Sequence, residues 1–179
     1  MNLSFNEEKL LKSLALSIVD NPRGTFKILA ESVGISKATL HRQFGTRENL
    51  ESVLMEKVRE SVRNIIEVAE NKHEDFEESV RILIDIHFQN KEFLRYIGSQ
   101  TCSDTEYWNH YTKALDSFFL AGQKQGVFSL DFTVPVLTDF LYTTIFGVIE
   151  SERKGRIASN TIVETIEKLF LNSVLNHSK

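Results

Sequence analysis

The residues best equipped for chemistry lie between positions 37 and 43: Lys37, Ala38, Thr39, His41, Arg42 and Gln43. They supply two cations, an imidazole, a hydroxyl and a carboxamide, and no carboxylate interrupts them. Leu40 and Phe44 recur at i, i+4, so a helix from Lys37 to Phe44 turns these two inward and the other six outward. An outward face of that composition suits a polyanionic groove. Other chemistry finds little support. His73, His87 and His110 lack the i, i+4 spacing of a helical metal pair, and no metal or cofactor is expected. No Ser–His–Asp order, glycine-rich phosphate loop or paired carboxylates stand out, so no catalytic residue is expected.

Such a short helix has to be held by its neighbours. Phe26, Leu29, Ala30 and Val33 form the apolar stripe of a preceding helix, which Thr25 can cap. Gly34 supplies positive φ at the tight turn, Ile35 plugs the corner, and Ser36 is the N-cap of the Lys37 helix. Before these, a helix is expected from about Asn6 to Asp20, with Leu10, Leu11, Leu14 and Ile18 inward, closed by the turn Asn21-Pro22-Arg23-Gly24. After them, Thr46 caps a helix from Arg47 to about Asn71; at roughly 36 Å it is long enough to leave a small N-terminal bundle and enter a second domain.

Helical periodicity continues over 74–89, 91–97, 104–125, 135–153 and 159–176. The reading is all-α with about nine helices in two domains: a helix-turn-helix domain over 1–50, its motif at about 25–44, and a second helical domain over 51–179.

The run Gly34-Ile35-Ser36-Lys37-Ala38-Thr39-Leu40-His41-Arg42-Gln43-Phe44-Gly45-Thr46-Arg47-Glu48-Asn49-Leu50 resembles the tetracycline-repressor (TetR) family of bacterial transcriptional regulators. The family's usual run is Gly-Val-Ser-Lys-Gly-Thr-Leu-Tyr-x-x-Phe-x-(Ser/Asn)-Lys-(Glu/Asp)-x-Leu. The helix order matches the family's plan along the whole chain, although the specific match is confined to the first fifty residues. The resemblance implies a homodimeric regulator of double-stranded operator DNA, a repressor released by a small apolar or aromatic effector, with 1–50 as the DNA-binding domain and 51–179 as the ligand-binding and dimerisation domain. Its DNA-contacting residues would be Thr25, Lys27, Ser36, Lys37, Ala38, Thr39, His41, Arg42, Gln43 and Arg47. Among them Lys27, Lys37 and Ala38 match base-edge positions, while Thr25, Thr39, His41, Gln43 and Arg47 match positions that grip phosphate. Two departures stand out. His41 replaces the family's tyrosine, and Gly24-Thr25 replaces a threonine pair.

Charge distribution agrees with a DNA reader. The 179 residues carry a net charge of −4. Residues 1–50 nevertheless hold seven Lys or Arg against five Asp or Glu, and 21–47 hold five cations against one acid. One cysteine, Cys102, excludes an internal disulfide and fits a reducing cytoplasm; a sensing role for it is the less favoured reading. The longest uncharged run, Phe140 to Ile149, falls short of the ~20 residues of a membrane span, and the start is not a signal peptide, so a cytoplasmic location without membrane partners is expected.

Most of the thirteen phenylalanines follow residue 75. Singly, such aromatics are ordinary core material. As a group, the resemblance makes Phe88, Phe93, Tyr96, Tyr107, Trp108, Tyr111, Phe118 and Phe140 candidates for an effector pocket. It also implies that the last two helices pair with their twofold mates. Two other readings stay open: a constitutive DNA-bound architectural or partner-recruiting protein, and a small-molecule binding protein or enzyme with a vestigial helix-turn-helix.

Overall fold

Periodic apolar residues and well-placed caps set the helices of this chain, whose computed structural model describes residues 5–99 and 105–176. In chain order they are α1 (Phe5–Asp20), α2 (Phe26–Ser32), α3 (Lys37–Phe44), α4 (Arg47–Glu70), α5 (Phe76–Gln89), α6 (Lys91–Ser99), α7 (Thr105–Lys124), α8 (Val134–Arg153) and α9 (Ile162–Val174), with one 3₁₀ turn at Ser159–Thr161. The all-α expectation holds. The expected boundaries fall within a few residues of those observed.

The chain forms two compact units. The first contains α1, α2, α3, α4 as far as Val62, and α6. Its core takes Leu11, Leu14, Ala15 and Ile18 from α1, Leu29 and Ala30 from α2, and Leu40 from α3. To these, α4 adds Leu50, Leu54 and Val58, and α6 adds Phe93, Leu94, Tyr96 and Ile97. A cut at residue 50 would fall inside the continuous helix α4. It would also assign α6 elsewhere, although α6 packs along α1. Ser61 Oγ donates to Asn90 Oδ1 at 2.9 Å and ties α4 to the entrance of α6.

The second unit contains α4 from Arg63, with α5, α7, α8 and α9. An aromatic cluster fills it: Phe76 from α5, Phe118 and Phe119 from α7, Phe128 from the loop before α8, and Phe170 from α9. That loop is pinned to the end of α9, where Ser129 N–H donates to the Val174 carbonyl at 2.8 Å and Asn176 N–H to that of Val127 at 2.9 Å. By length and composition alone α8 would qualify as a membrane-crossing helix. The uncharged-run reading did not anticipate this. Part of its apolar content lies on the inner face, where Leu137, Leu141, Ile145, Val148 and Ile149 are buried and α8 packs on α7 and α9, while Val136 and Phe140 remain exposed.

Gly122 shows how closely α7 and the loop approach. A Cβ there would lie 2.3 Å from the Phe128 ring and 3.1 Å from Phe76 Cδ1. Phe128 is completely buried and has no room to swing aside. Gly122→Ala is therefore expected to lose about 1–3 kcal/mol to overpacking, which outweighs the gain of about 1 kcal/mol in helix propensity. A denaturation midpoint equal to or above that of the native chain would show that the loop yields freely.

Candidate functional site

The turn between α2 and α3 is built from backbone geometry. Gly34 has φ +74°. Its N–H donates to the Glu31 carbonyl and that of Ile35 to the Ala30 carbonyl, the paired bonds of a Schellman ending. Ser36 then caps α3, its Oγ accepting from Thr39 N–H at 3.0 Å and bonding Thr39 Oγ1 at 2.9 Å. Thr25 caps α2 in the same way, accepting from Ile28 N–H at 3.4 Å. Leu40 is fully buried and anchors α3, while Phe44 is half-buried.

Lys37, Ala38, His41, Arg42 and Gln43 are exposed on α3, and Thr39 is half-buried. Among the described residues neither Lys37 nor Arg42 has an ion-pair partner, so both charges face solvent uncompensated. Lys27 on α2 is exposed and lies 3.8 Å from Glu31. This is a small basic surface on a rigidly capped helix, able to meet phosphates and base edges.

Two expected phosphate ligands are arranged differently. His41 Nδ1 lies 2.8 Å from the Gly45 carbonyl, which can only accept, so Nδ1 carries the proton. The ring packs edge-on against Phe26 with centroids 4.7 Å apart. Neutral His41 thus presents an Nε2 acceptor outward, and only the imidazolium can donate to phosphate. Arg47 turns inward. Its Nη1 donates to the Gly24 carbonyl at 2.5 Å, Nη2 to that of Pro22 at 2.8 Å, and Nε to Glu51 Oε1 at 2.7 Å. The guanidinium is a strut between the α1–α2 turn and the start of α4, which the local sequence did not reveal.

The second unit contains a cleft of about 170 Å³ lined by Trp108, Tyr111 and Thr112 of α7 and by Thr138, Asp139 and Tyr142 of α8. Of the aromatic residues expected around an effector, Trp108 and Tyr111 line it; the others are scattered. Phe93 and Tyr96 are buried in the first unit, Phe118 belongs to the aromatic cluster, and Phe140 stacks on Phe170 at the surface. Phe88 is half-buried on α5 away from the cleft lining. The side chain of Tyr107, like Cys102, lies outside the described residues. Thr138 and Tyr142 were missed, although their four-residue spacing on α8 was a usable signal.

Behind the cleft, His87 on α5 is completely buried. Its Nδ1 donates to the Leu83 carbonyl at 2.6 Å, so Nε2 accepts from the Tyr111 hydroxyl at 2.7 Å. Burial, against a smaller opposing effect from the Leu83 bond, lowers the His87 pKa to about 4. Burial also pushes the Tyr111 phenol well above its ordinary range. Among the described residues no group of three or more His, Cys, Asp or Glu is placed to hold a metal.

No protein-family model matches the chain. The HTH-type transcriptional regulator NfxB of Pseudomonas aeruginosa is 39% identical over 186 residues, spanning 100% of this chain and 100% of that protein. Among solved structures, the MbdR regulator from Azoarcus sp. CIB superposes with a TM-score of 0.68 at 18% identity, covering 93% of this chain and 97% of that one. The TetR-like regulator LfrR from Mycobacterium smegmatis, solved in complex with proflavine, gives 0.58 at 16% identity, with 92% and 93% covered. At those identities the structural likeness concerns the fold.

Arg47→Ala should destabilise the protein by about 1.5–3 kcal/mol through its lost charge-assisted bonds. It should weaken binding to every duplex while leaving the salt slope unchanged; an unaltered melting temperature with a slope reduced by ~1 would return Arg47 to a phosphate. His87 yields a pH prediction. An unfolded histidine titrates near 6.5, above the folded value of about 4, so the unfolded chain takes up the proton first as pH falls. Stability is complete above about pH 6.5 and declines toward pH 4, by about 3 kcal/mol in all. Denaturation of the native chain and His87→Gln should diverge by that amount over this window; parallel curves would contradict the assignment.

Proposed function

The chain belongs to the TetR family of helix-turn-helix transcriptional regulators, and from that premise we propose that it is a homodimeric repressor whose grip on its operator is released by a small molecule. The observation that carries the DNA half of this reading is the outer face of α3, where exposed Lys37, Ala38, His41, Arg42 and Gln43 include no acid. In the proposed complex α3 enters the major groove. Lys37 donates to a guanine edge, Ala38 passes close to the bases, and Arg42 meets a base or a phosphate. Thr25, Ser36, Thr39 and Gln43 approach the backbone, Lys27 sits at the groove margin, and His41 donates when protonated.

Dimerisation is supported by apolar side chains left in solvent. Leu130 and Phe132 before α8, Val136 and Phe140 on α8, and Leu169 on α9 are all exposed. A second copy set against α8 and α9 would cover them and would supply the other recognition helix, about 34 Å away on the duplex.

For release, α4 is the proposed lever, because this single helix belongs to both units. An effector in the second unit that prefers the DNA-incompetent arrangement by ~10²-fold, about 2.7 kcal/mol, is sufficient for a useful switch. LfrR, solved with proflavine, shares the fold and supports an effector of small-molecule size.

The reading is tested by titrating the duplex beside the protein's own gene in low and moderate salt, against a random duplex. Lys37→Ala should cost about 1–3 kcal/mol on the preferred duplex and much less on random sequence. Equal losses on both would remove Lys37 from base reading. No preference by the native chain would remove the operator claim.

A further inference from the structure

The α7–α8 cleft has a composition that singles out one class of ligand. Three of its six lining residues are aromatic, two are threonines, and the only charged one of the six is Asp139. The Trp108 and Tyr111 rings stand edge-to-face, with centroids 5.5 Å apart and planes at 87°. The two tyrosines are held: the Tyr111 hydroxyl is fixed on His87, and the Tyr142 ring rests on Phe146 with centroids 4.4 Å apart. Thr138 gives its proton to Asp116 Oδ1 at 2.6 Å, which fixes the floor of the α8 side. Asp139 is exposed and has no ion-pair partner among the described residues.

We propose that this cleft binds a small organic cation, a quaternary ammonium or protonated-amine head group, with its charge against the faces of Trp108, Tyr111 and Tyr142 and toward the Asp139 carboxylate. Aromatic faces carry negative potential and attract such cations, most strongly at tryptophan. Among the described residues no lysine or arginine lines the cleft, so an anion would find no partner among them. Among the described lining residues a single carboxylate, without histidine or further acid, leaves a metal ion underligated. At about 170 Å³ the space is close to that of a cavity known to take benzene, ~150 Å³, and falls below drug-sized pockets. A head group fits within it, with any tail outside. This deepens the effector reading above and rests on it only for the consequence at DNA.

Trp108 is the chain's only tryptophan, so its fluorescence reports the cleft directly. The probes are phenyltrimethylammonium chloride and its neutral isostere tert-butylbenzene. The cation should change Trp108 emission saturably and bind at least about tenfold more tightly than the neutral compound. Asp139→Asn, a surface change that should leave the melting temperature intact, should weaken the cation about fivefold and the neutral probe less than twofold. Tyr142→Leu should weaken the cation about tenfold. Equal affinities for the two probes in the native protein, no saturable response to the cation, or an Asp139→Asn variant that binds it undiminished would each overturn the proposal. Operator affinity measured at saturating cation is read separately. If the cation binds and DNA affinity stays unchanged, the cleft keeps its ligand and the effector role fails.

Discussion

A guanidinium held between two backbone carbonyls sets the geometry on which the first unit depends. Arg47 opens α4, yet its nitrogens reach back to Pro22 and Gly24, in the turn that precedes α2. Everything between, α2, Gly34 and α3, is bracketed by that contact. An isolated eight-residue helix is unstable in water, so α3 exists because its surroundings impose it. Leu40 plugs it into the core, Ser36 closes its first turn, and the Arg47 strut sets the frame into which both fit. The carbonyls of a tight turn have few partners of their own, and a charged donor satisfies two at once with geometry that lysine cannot copy.

A carbonyl that dictates a histidine's tautomer appears in both units, and at His41 and His87 it has different consequences. Gly45 takes the Nδ1 proton of His41, on the surface, and leaves Nε2 facing whatever α3 meets. Leu83 takes the Nδ1 proton of His87, in the interior, and Nε2 receives the Tyr111 hydroxyl. Burial holds the second histidine neutral, so it serves as a fixed acceptor that joins α5 to α7 behind the cleft. The first is open to water, and its protonation decides whether it can donate to an anion.

Local features of this chain were readable without coordinates because their causes are local. Ser36, Thr25 and Gly34 act on atoms within five residues of themselves, so type and spacing sufficed. The inward turn of Leu40 followed from periodicity. Arg47 escaped because its partners lie 23 and 25 residues away. Of the cleft lining only Trp108 and Tyr111 were expected, because an aromatic side chain packed in a core and one lining a cavity are the same letter. Phe118 proved to be core, Phe93 and Tyr96 pack with a helix distant in sequence, and the cleft draws instead on Thr138, Asp139 and Tyr142. Polar residues on an otherwise apolar helix were the clue that aromatic content obscured.

The proposed regulator depends on the outer face of α3 meeting base edges from the major groove. Dimethyl sulfate protection across the duplex beside the protein's own gene reads that contact at guanine N7. The expected pattern is two clusters of protected guanines about one helical turn apart, one for each copy of α3. Unprotected N7 throughout, or protection only at adenine N3 in the minor groove, would contradict it.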